Sequence, residues 1–150
     1  MNEDFIDFLR CLLKEDARFL VVGAHAMAAH GVPRATGDID IWIDRESPNA
    51  RRVFQALADF GAPLAALNVS LSDLSNPEGV IQIGLPPRRI DILTSISGVD
   101  FQSAWERRVT FRFSDLLVPV LGRGDLIVNK RAAGRPKDLV DVSILEPGPR

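Results

Sequence analysis

Asp-Ile-Asp-Ile-Trp-Ile, at positions 38–43, is the stretch of sequence that decides the fold. In a β-strand, residues two positions apart lie on the same face, so Asp38 and Asp40 project together while the isoleucines project from the other face. A second stretch, Arg-Ile-Asp-Ile-Leu at positions 89–93, places Asp91 between two isoleucines in the same way. These patterns predict two strands with one apolar and one acidic face, and the three aspartates meet if the strands are neighbours.

The three strand aspartates point to a metal site. Aligned carboxylates repel one another at close range, and a divalent cation relieves that repulsion. Carboxylate oxygens suit Mg²⁺, which usually takes one or two carboxylates together with phosphate and water. Three carboxylates can hold two metal ions, the arrangement used for in-line phosphoryl or nucleotidyl transfer. We therefore expect Asp38, Asp40 and Asp91 to be catalytic ligands of Mg²⁺ or Mn²⁺.

A glycine junction precedes the acidic strand. The apolar segment 18–23 ends at Gly23, and the alanine-rich segment after it predicts a helix. A strand–glycine–helix junction presents free backbone N–H groups and the positive end of the helix dipole, which suits phosphate. Gly23 and Ala24 are therefore expected to bind nucleotide phosphates, with Arg34 and Thr36 of the following loop as further donors.

Helical and strand patterns alternate along the rest of the chain. Apolar spacing, with glycine and proline at the ends, delimits each element. Predicted helices cover residues 4–15, 24–30, 49–60, 99–107, 122–133 and 136–145, with one helical turn at 70–74. Predicted strands cover residues 18–23, 38–43, 80–83, 89–93, 109–113 and 116–121. This order predicts an α/β (α+β) fold, a mixed β-sheet with flanking helices, in one domain over residues 1–150.

The composition is that of a globular protein with an uneven charge distribution. Of the 150 residues, 46% are hydrophobic and 25% are charged, and the net charge is −2. Residues 1–49 hold nine acidic and five basic residues, whereas residues 107–137 hold eight basic and two acidic residues. The overall balance argues against a nucleic-acid packaging protein. If the acidic and basic segments face each other in the fold, they could together bind metal ions and a polyphosphate. The basic segment also weakly favours RNA as a ligand.

Several classes of protein are excluded by the sequence. The single cysteine, Cys11, rules out an internal disulfide, and one cysteine with two histidines cannot complete a four-ligand structural zinc site. No apolar run reaches about 18 residues, which argues against a membrane span, and the N-terminus lacks the basic region of a signal peptide. A cytoplasmic protein without membrane contact is expected. P-loop, dinucleotide-binding and hydrolase-elbow motifs are absent from the sequence.

The spacing of the glycine junction and the acidic strand resembles a known signature. A glycine, a small residue, 13 intervening residues and then Asp-apolar-Asp-apolar, as in Gly23-Ala24 followed by residues 38–41, is similar to the motif of the DNA polymerase β-type nucleotidyltransferase superfamily. The longer pattern over residues 23–40 resembles the branch that contains abortive-infection nucleotidyltransferase toxins and their small relatives. Residues 130–141 resemble the later motif of the same branch.

That resemblance implies a nucleotidyltransferase core that uses Mg²⁺ and a nucleoside triphosphate (NTP) and transfers a nucleoside monophosphate. Asp38 and Asp40 would bind both metal ions, and Asp91 would bind the ion nearer the acceptor. Gly23 would cradle phosphate.

The later motif would complete the nucleotide site. In the resemblance, Lys130 touches phosphate, Lys137 belongs to the same nucleotide-binding set, and Asp138 orients the phosphate or the acceptor. The acceptor stays open between an RNA end, a protein side chain and a small molecule. The toxin branch implies a toxin–antitoxin system with a cognate partner protein.

Two other functions stay open. Ala24 stands where the motif often has serine or glycine, and with the short chain it favours a nucleotide-binding module without turnover, such as an antitoxin or regulatory partner. A metal-dependent phosphohydrolase that uses the same carboxylates would instead release phosphate without an acceptor.

Overall fold

The computed structural model describes residues 1–35 and 37–146. Its strands are β1 (Phe19–Val22), β2 (Ile39–Ile43), β3 (Val80–Ile83), β4 (Ile90–Leu93), β5 (Val109–Phe113) and β6 (Leu116–Val120). Its helices are α1 (Glu3–Lys14), α2 (Gly23–Ala29), α3 (Ser47–Phe60), α4 (Phe101–Glu106), α5 (Arg123–Ala133) and α6 (Pro136–Leu145). A short 3-10 helix covers Leu71–Ser75. The helices and strands predicted from the sequence are all present, and their ends differ by at most two residues.

The six strands form one mixed sheet, as predicted, and their order in it is β3-β4-β2-β1-β6-β5. Strand β2 runs antiparallel to β1 and parallel to β4, and β1 is parallel to β6. The register of β2 and β4 pairs Asp40 with Asp91 and Ile41 with Ile92. Because paired residues of neighbouring strands project from the same face, the two aspartates emerge side by side. The two acidic strands are therefore neighbours, as the sequence analysis expected.

The apolar side of the sheet packs against helices to form the core. Phe8, Leu9 and Leu12 recur at helical spacing in α1 and are fully buried, which is why this segment forms an amphipathic helix. On the other face of β2, two positions after Asp40, Trp42 is also buried, and its ring meets Phe101 edge-on with 4.9 Å between ring centroids. Burial of these aromatic and aliphatic side chains stabilises the fold, and the Trp42 ring anchors β2 in the sheet.

The last two helices bring the basic segment back to the acidic strands. Helix α5 ends at Gly134, which adopts the left-handed conformation with φ 66°, and Pro136 begins α6, so the chain turns sharply between them. The two helices pack against each other, and each supplies basic side chains to the same cavity as β2 and β4. In the described part of the chain, no helix is long and apolar enough to cross a membrane.

Candidate active site

A cavity of about 530 Å³ opens where the acidic strands meet the basic helices. Its walls come from the start of α2, the loop before β2, strands β2 and β4, and helices α5 and α6. Eight residues predicted from the sequence line it, namely Gly23, Ala24, Arg34, Asp38, Asp40, Asp91, Lys130 and Lys137. Thr36 was predicted as well and lies outside the described residues. The cavity is of the size that small-molecule sites have, about 300–1,000 Å³.

Asp38, Asp40 and Asp91 form the acidic wall of this cavity. Asp40 and Asp91 are cross-strand partners, and Asp38 immediately precedes β2. The backbone N–H of Arg89 donates to Oδ1 of Asp38 at 3.0 Å, and the backbone N–H of Ile39 donates to the carbonyl of Arg89 at 3.0 Å. Sheet hydrogen bonds therefore fix the positions from which all three carboxylates project.

The acidic wall carries electrostatic repulsion. Burial raises the pKa of Asp40 to about 6, with further contributions from the charge of Asp91, a hydrogen bond with Asp91 and the charge of Asp38. The positive charge of Arg89 acts in the opposite direction. A cation bound among these carboxylates would remove the repulsion.

Arg89 is a site residue that the sequence analysis missed. Its Nε and Nη2 atoms donate to the two oxygens of Asp91 at 2.6 Å and 3.0 Å, and Nη2 lies 3.5 Å from Oδ2 of Asp38. The signal was present in the sequence, because Arg89 stands two positions before Asp91 and strand periodicity places both on one face. Its guanidinium partly neutralises the acidic wall.

Gly23 makes room for the acidic wall. It has a φ of +66°, and a Cβ atom there would overlap Oδ2 of Asp40 and lie 3.1 Å from its Cγ. Val22, the residue before it, pairs with Asp40 in the register of β1 and β2. The structure thus gives Gly23 a steric role at the start of α2, and its contact with phosphate stays a prediction.

The basic wall of the cavity comprises Arg34, Lys130, Arg135 and Lys137. Asp141 of α6 connects two of these side chains, because one oxygen accepts from Arg34 and the other lies 2.9 Å from Nζ of Lys130. Lys137 forms no ion pair with any described residue, although it lines the same cavity. The basic wall thus combines Arg34 and Lys130, which are held by Asp141, with Lys137, which has no anionic partner among the described residues.

Asp138 lies beneath the basic wall and does not line the cavity. It is 1% exposed, and its Oδ2 accepts from Nε of Arg135 at 2.6 Å, while Oδ1 lies 3.7 Å from Nζ of Lys130. Burial favours the protonated acid, but the hydrogen bonds and charge of Arg135, with the charge of Lys130, hold the pKa of Asp138 below its usual value. The resemblance assigned Asp138 to orienting a substrate. In the structure its carboxylate orients two cations of the wall.

The donor chemistry of the acidic wall suits Mg²⁺ or Mn²⁺, because three carboxylates face one cavity and carboxylate oxygens are the preferred ligands of both ions. The backbone is consistent with this, since Gly23 has no side chain and so leaves room for the Asp40 carboxylate at the cavity. Among residues 1–35 and 37–146, no group of three acidic, histidine or cysteine side chains is gathered closely enough to hold a metal as it stands. Arg89 engages both oxygens of Asp91, so a metal ion would have to compete with this guanidinium.

A second cavity, of about 580 Å³, adjoins the first. Gly37 and Arg88 line it and directly precede Asp38 and Arg89, which line the first cavity. Its charged side chains are two carboxylates, Glu3 and Asp4, and a single arginine, Arg88. That balance does not suit a triphosphate, so the cavity with the basic wall is the candidate nucleotide site.

Solved structures share this fold, among them the following two. The lincomycin-bound crystal structure of the lincosamide antibiotic adenylyltransferase LnuA matches with a TM-score of 0.61 over 97% of this chain and 96% of that chain, at 15% sequence identity. TM1012 from Thermotoga maritima, a proposed nucleotidyltransferase, matches with a TM-score of 0.57 over 97% of this chain and 92% of that chain, at 17% identity. The architecture is therefore the nucleotidyltransferase fold.

The sequence itself gives the family. The model of the family described as nucleotidyltransferase of unknown function (DUF6036) matches residues 4–145, so the chain belongs to that family. No curated protein matches the sequence. The predicted kinship with nucleotidyltransferases is confirmed. None of the proteins named here is described as a toxin, so the resemblance to the toxin branch stays a prediction.

Proposed function

We propose that this protein is a Mg²⁺-dependent enzyme that transfers a nucleoside monophosphate from an NTP to a hydroxyl acceptor. The observation that carries the proposal is the pairing of Asp40 with Asp91 on adjacent strands, in a cavity that four basic side chains also line. Carboxylates and cations in a single cavity match the needs of a metal-bound triphosphate, which carries both positive and negative charge.

The basic wall would bind the triphosphate. Lys137 has no anionic partner among the described residues and can take up a phosphate oxygen without first breaking an ion pair. Lys130 and Arg34 are held at the cavity by Asp141, and Arg135 is held by Asp138. These tethers preorganise the cations, which reduces the entropy lost when the nucleotide binds.

The acidic wall would hold the metal through Asp38, Asp40 and Asp91. Mg²⁺ bound there would supply a Lewis acid for the α-phosphoryl group and would lower the pKa of the acceptor hydroxyl. In the transfer itself, a bond forms between the acceptor oxygen and the α-phosphorus while the bond to the β-bridging oxygen breaks. The acceptor loses its proton, and pyrophosphate leaves along the basic wall.

The proposal is tested with each α-labelled NTP in turn, supplied with Mg²⁺, total RNA, total cell protein and the small-molecule fraction of a cell extract. Label on RNA, on a protein band or on a small molecule identifies the acceptor class. The label is expected with the wild type and with Asp7→Asn, an exposed carboxylate on α1. It is expected to disappear with Asp38→Asn and Asp40→Asn. Equal labelling by all four proteins would contradict the proposal.

A nucleotide-binding module without turnover is the second candidate. The engagement of both Asp91 oxygens by Arg89 favours it, as does the absence of a hydroxyl at Ala24. Such a module would be stabilised by NTP in a thermal-shift assay and would release no pyrophosphate with any acceptor. A phosphohydrolase on the same carboxylates would release phosphate with no acceptor added, so the same assays separate all three functions.

A role in a toxin–antitoxin system is the most specific part of the proposal, and the motif resemblance alone supports it. A toxin of this kind is expected to arrest bacterial growth when it is expressed without a cognate partner protein. Asp38→Asn should relieve the arrest, because it removes a proposed metal ligand. Normal growth on expression of the wild type at equal protein level would contradict this role without affecting the transferase proposal.

A further inference from the structure

The Arg89 guanidinium engages the same carboxylate oxygens that a divalent cation needs. It makes a two-pronged contact with Asp91, at 2.6 Å and 3.0 Å, and one of its nitrogens lies 3.5 Å from Oδ2 of Asp38. Parallel N–H···O bonds between guanidinium and carboxylate are among the strongest polar contacts in proteins. A metal ion can use Asp91 only after this contact is broken.

The contact meets an electrostatic need of the acidic wall. Asp91 is 9% exposed, and a buried carboxylate without a positive partner is strongly unfavourable. Asp40 and Asp38 add two further carboxylates to the same wall. Arg89 forms ion pairs with both Asp38 and Asp91. Arg89 therefore acts as the counter-ion of the wall within the protein.

The Arg89 side chain can leave without disturbing the sheet. Its backbone is fixed, because its N–H donates to Asp38 and its carbonyl accepts from Ile39, both at 3.0 Å. The side chain is 25% exposed and lines the cavity, so rotation about its own side-chain bonds can carry the guanidinium away from Asp91. The movement breaks no backbone hydrogen bond.

A triphosphate is the ligand that can draw the guanidinium away. Phosphate oxygens accept the same two-pronged contact that a carboxylate accepts. The basic wall, which includes Lys137 and Lys130, places a bound triphosphate in the cavity that Arg89 also lines. Once Arg89 turns to phosphate, Asp91 is exposed to a cation, and the repulsion between that cation and the guanidinium falls.

We propose that Arg89 is a positioning residue that keeps Asp91 closed to the metal until an NTP takes over its guanidinium, so that metal binding depends on nucleotide binding. This inference rests on the proposed function. It assigns to one side chain the order in which the substrates bind, with nucleotide favouring metal and, by reciprocity, metal favouring nucleotide.

The test is a Mn²⁺ titration, followed by electron paramagnetic resonance of the free ion, with and without nucleotide. The nucleotides are the four NTP analogues in which a methylene group replaces the α–β bridging oxygen, so no transfer occurs. For the wild type, one analogue is expected to tighten Mn²⁺ binding by about 5- to 150-fold, the usual range of coupling between sites. Without nucleotide, Arg89→Gln should bind Mn²⁺ more tightly than the wild type does. Addition of the analogue should then increase the Mn²⁺ affinity of this variant only slightly.

The control is Arg88→Gln, which removes the same charge one position away. Arg88 is exposed and lines the second cavity, so its loss changes the overall charge without touching Asp91. This variant is expected to keep the wild-type coupling. Arg89→Lys retains a charge but cannot make the two-pronged contact, and its coupling should be intermediate. Circular dichroism verifies that each variant is folded.

The outcomes separate this inference from the proposed function. Equal coupling in Arg89→Gln and the wild type, with Mn²⁺ bound in both, would overturn the role of Arg89 and leave the transferase proposal intact. Weaker Mn²⁺ binding by Arg89→Gln without nucleotide would also overturn it. If neither protein binds Mn²⁺ with any analogue, both the inference and the metal-dependent transferase fail together.

Discussion

The carboxylate of Asp40 lies over the α-carbon of Gly23, in the space that any side chain at that position would fill. A Cβ atom on Gly23 would overlap Oδ2 of Asp40 and lie 3.2 Å from its Cβ. The glycine that directly follows β1 and the aspartate at the second position of β2 are therefore in steric contact. This relationship explains why glycine stands at the junction independently of any phosphate that binds there.

Replacing Gly23 with alanine should damage the site as well as the fold. The left-handed backbone of an alanine costs about 1–2 kcal/mol of unfolding free energy, and the displaced Asp40 carboxylate should weaken Mn²⁺ binding. Gly31→Ala is the matched control, because Gly31 has a φ of +88° and no atom lies within 4 Å of the position that its Cβ would take. Urea unfolding and Mn²⁺ titration of both variants measure the two effects. Equal losses of stability with unchanged Mn²⁺ binding would show that the Gly23–Asp40 contact is unimportant.

Asp40→Asn should stabilise the protein at neutral pH while abolishing transfer. A pKa raised to about 6 from 3.8 means that the folded state carries the Asp40 charge at a cost once the pH exceeds about 6. Removing that charge is expected to add about 1–3 kcal/mol to the unfolding free energy at pH 7.5 without metal.

The gain should shrink as the pH falls below about 6 and vanish below 3.8, where folded and unfolded states are both protonated. Saturating Mg²⁺ should reduce it too, because the metal stabilises the wild type. Chemical denaturation across this pH range gives the comparison, with the exposed Asp7→Asn as control. A loss of stability at pH 7.5 would mean that repulsion does not dominate the acidic wall.

The sequence was sufficient to predict the acidic wall because strand periodicity is a local property. Alternation in residues 38–43 and 89–93 specified which face each aspartate would take, and the mixed sheet then paired Asp40 with Asp91. Arg89 obeys the same periodicity, but its choice of Asp91 as a partner follows from burial of that carboxylate, which no local pattern records. The sheet was thus predictable, and the counter-ion was not.

The role of Asp138 was hidden for a related reason. An aspartate in the first turn of a helix is favourable at almost any exposed position, so the sequence does not distinguish a surface charge from a buried one. Only the packing of α6 against α5 shows that this carboxylate is covered and holds Arg135 and Lys130. The structure places the later motif at the candidate site, where Lys130 and Lys137 line the cavity and Asp138 supports its wall.

Lys137→Gln should weaken NTP binding with little effect on the fold. Lys137 lines the cavity and lacks an ion pair within residues 1–35 and 37–146, so its charge is available to phosphate. Loss of one charge-assisted hydrogen bond is expected to reduce NTP affinity by about tenfold. Isothermal titration calorimetry at low salt measures the change in NTP affinity. Raising the ionic strength should reduce the difference in affinity between the wild type and the variant.

The control for Lys137 is Arg131→Gln, which removes a basic side chain that pairs with Glu146 and does not line the cavity. Its NTP affinity should match that of the wild type. Equal weakening by both substitutions would indicate a general charge effect, and the assignment of Lys137 to the nucleotide site would then be wrong.

Asp138→Asn should destabilise the protein and weaken NTP binding without changing any residue that lines the cavity. The amide has one acceptor oxygen and no charge, so it cannot accept from both Nε and Nη2 of Arg135, and this loss is expected to cost about 1.5–3 kcal/mol of unfolding free energy. Since the folded-state pKa of Asp138 is lowered, its contribution is present above the unfolded value of 3.8 and disappears as the pH falls below it. The wild type and the variant should therefore converge in stability in acid.

The control is Asp115→Asn, because Asp115 is an exposed carboxylate that also pairs with an arginine, Arg10, and little change in stability is expected there. If the two variants lose equal stability and both bind NTP as the wild type does, Asp138 does not support the basic wall.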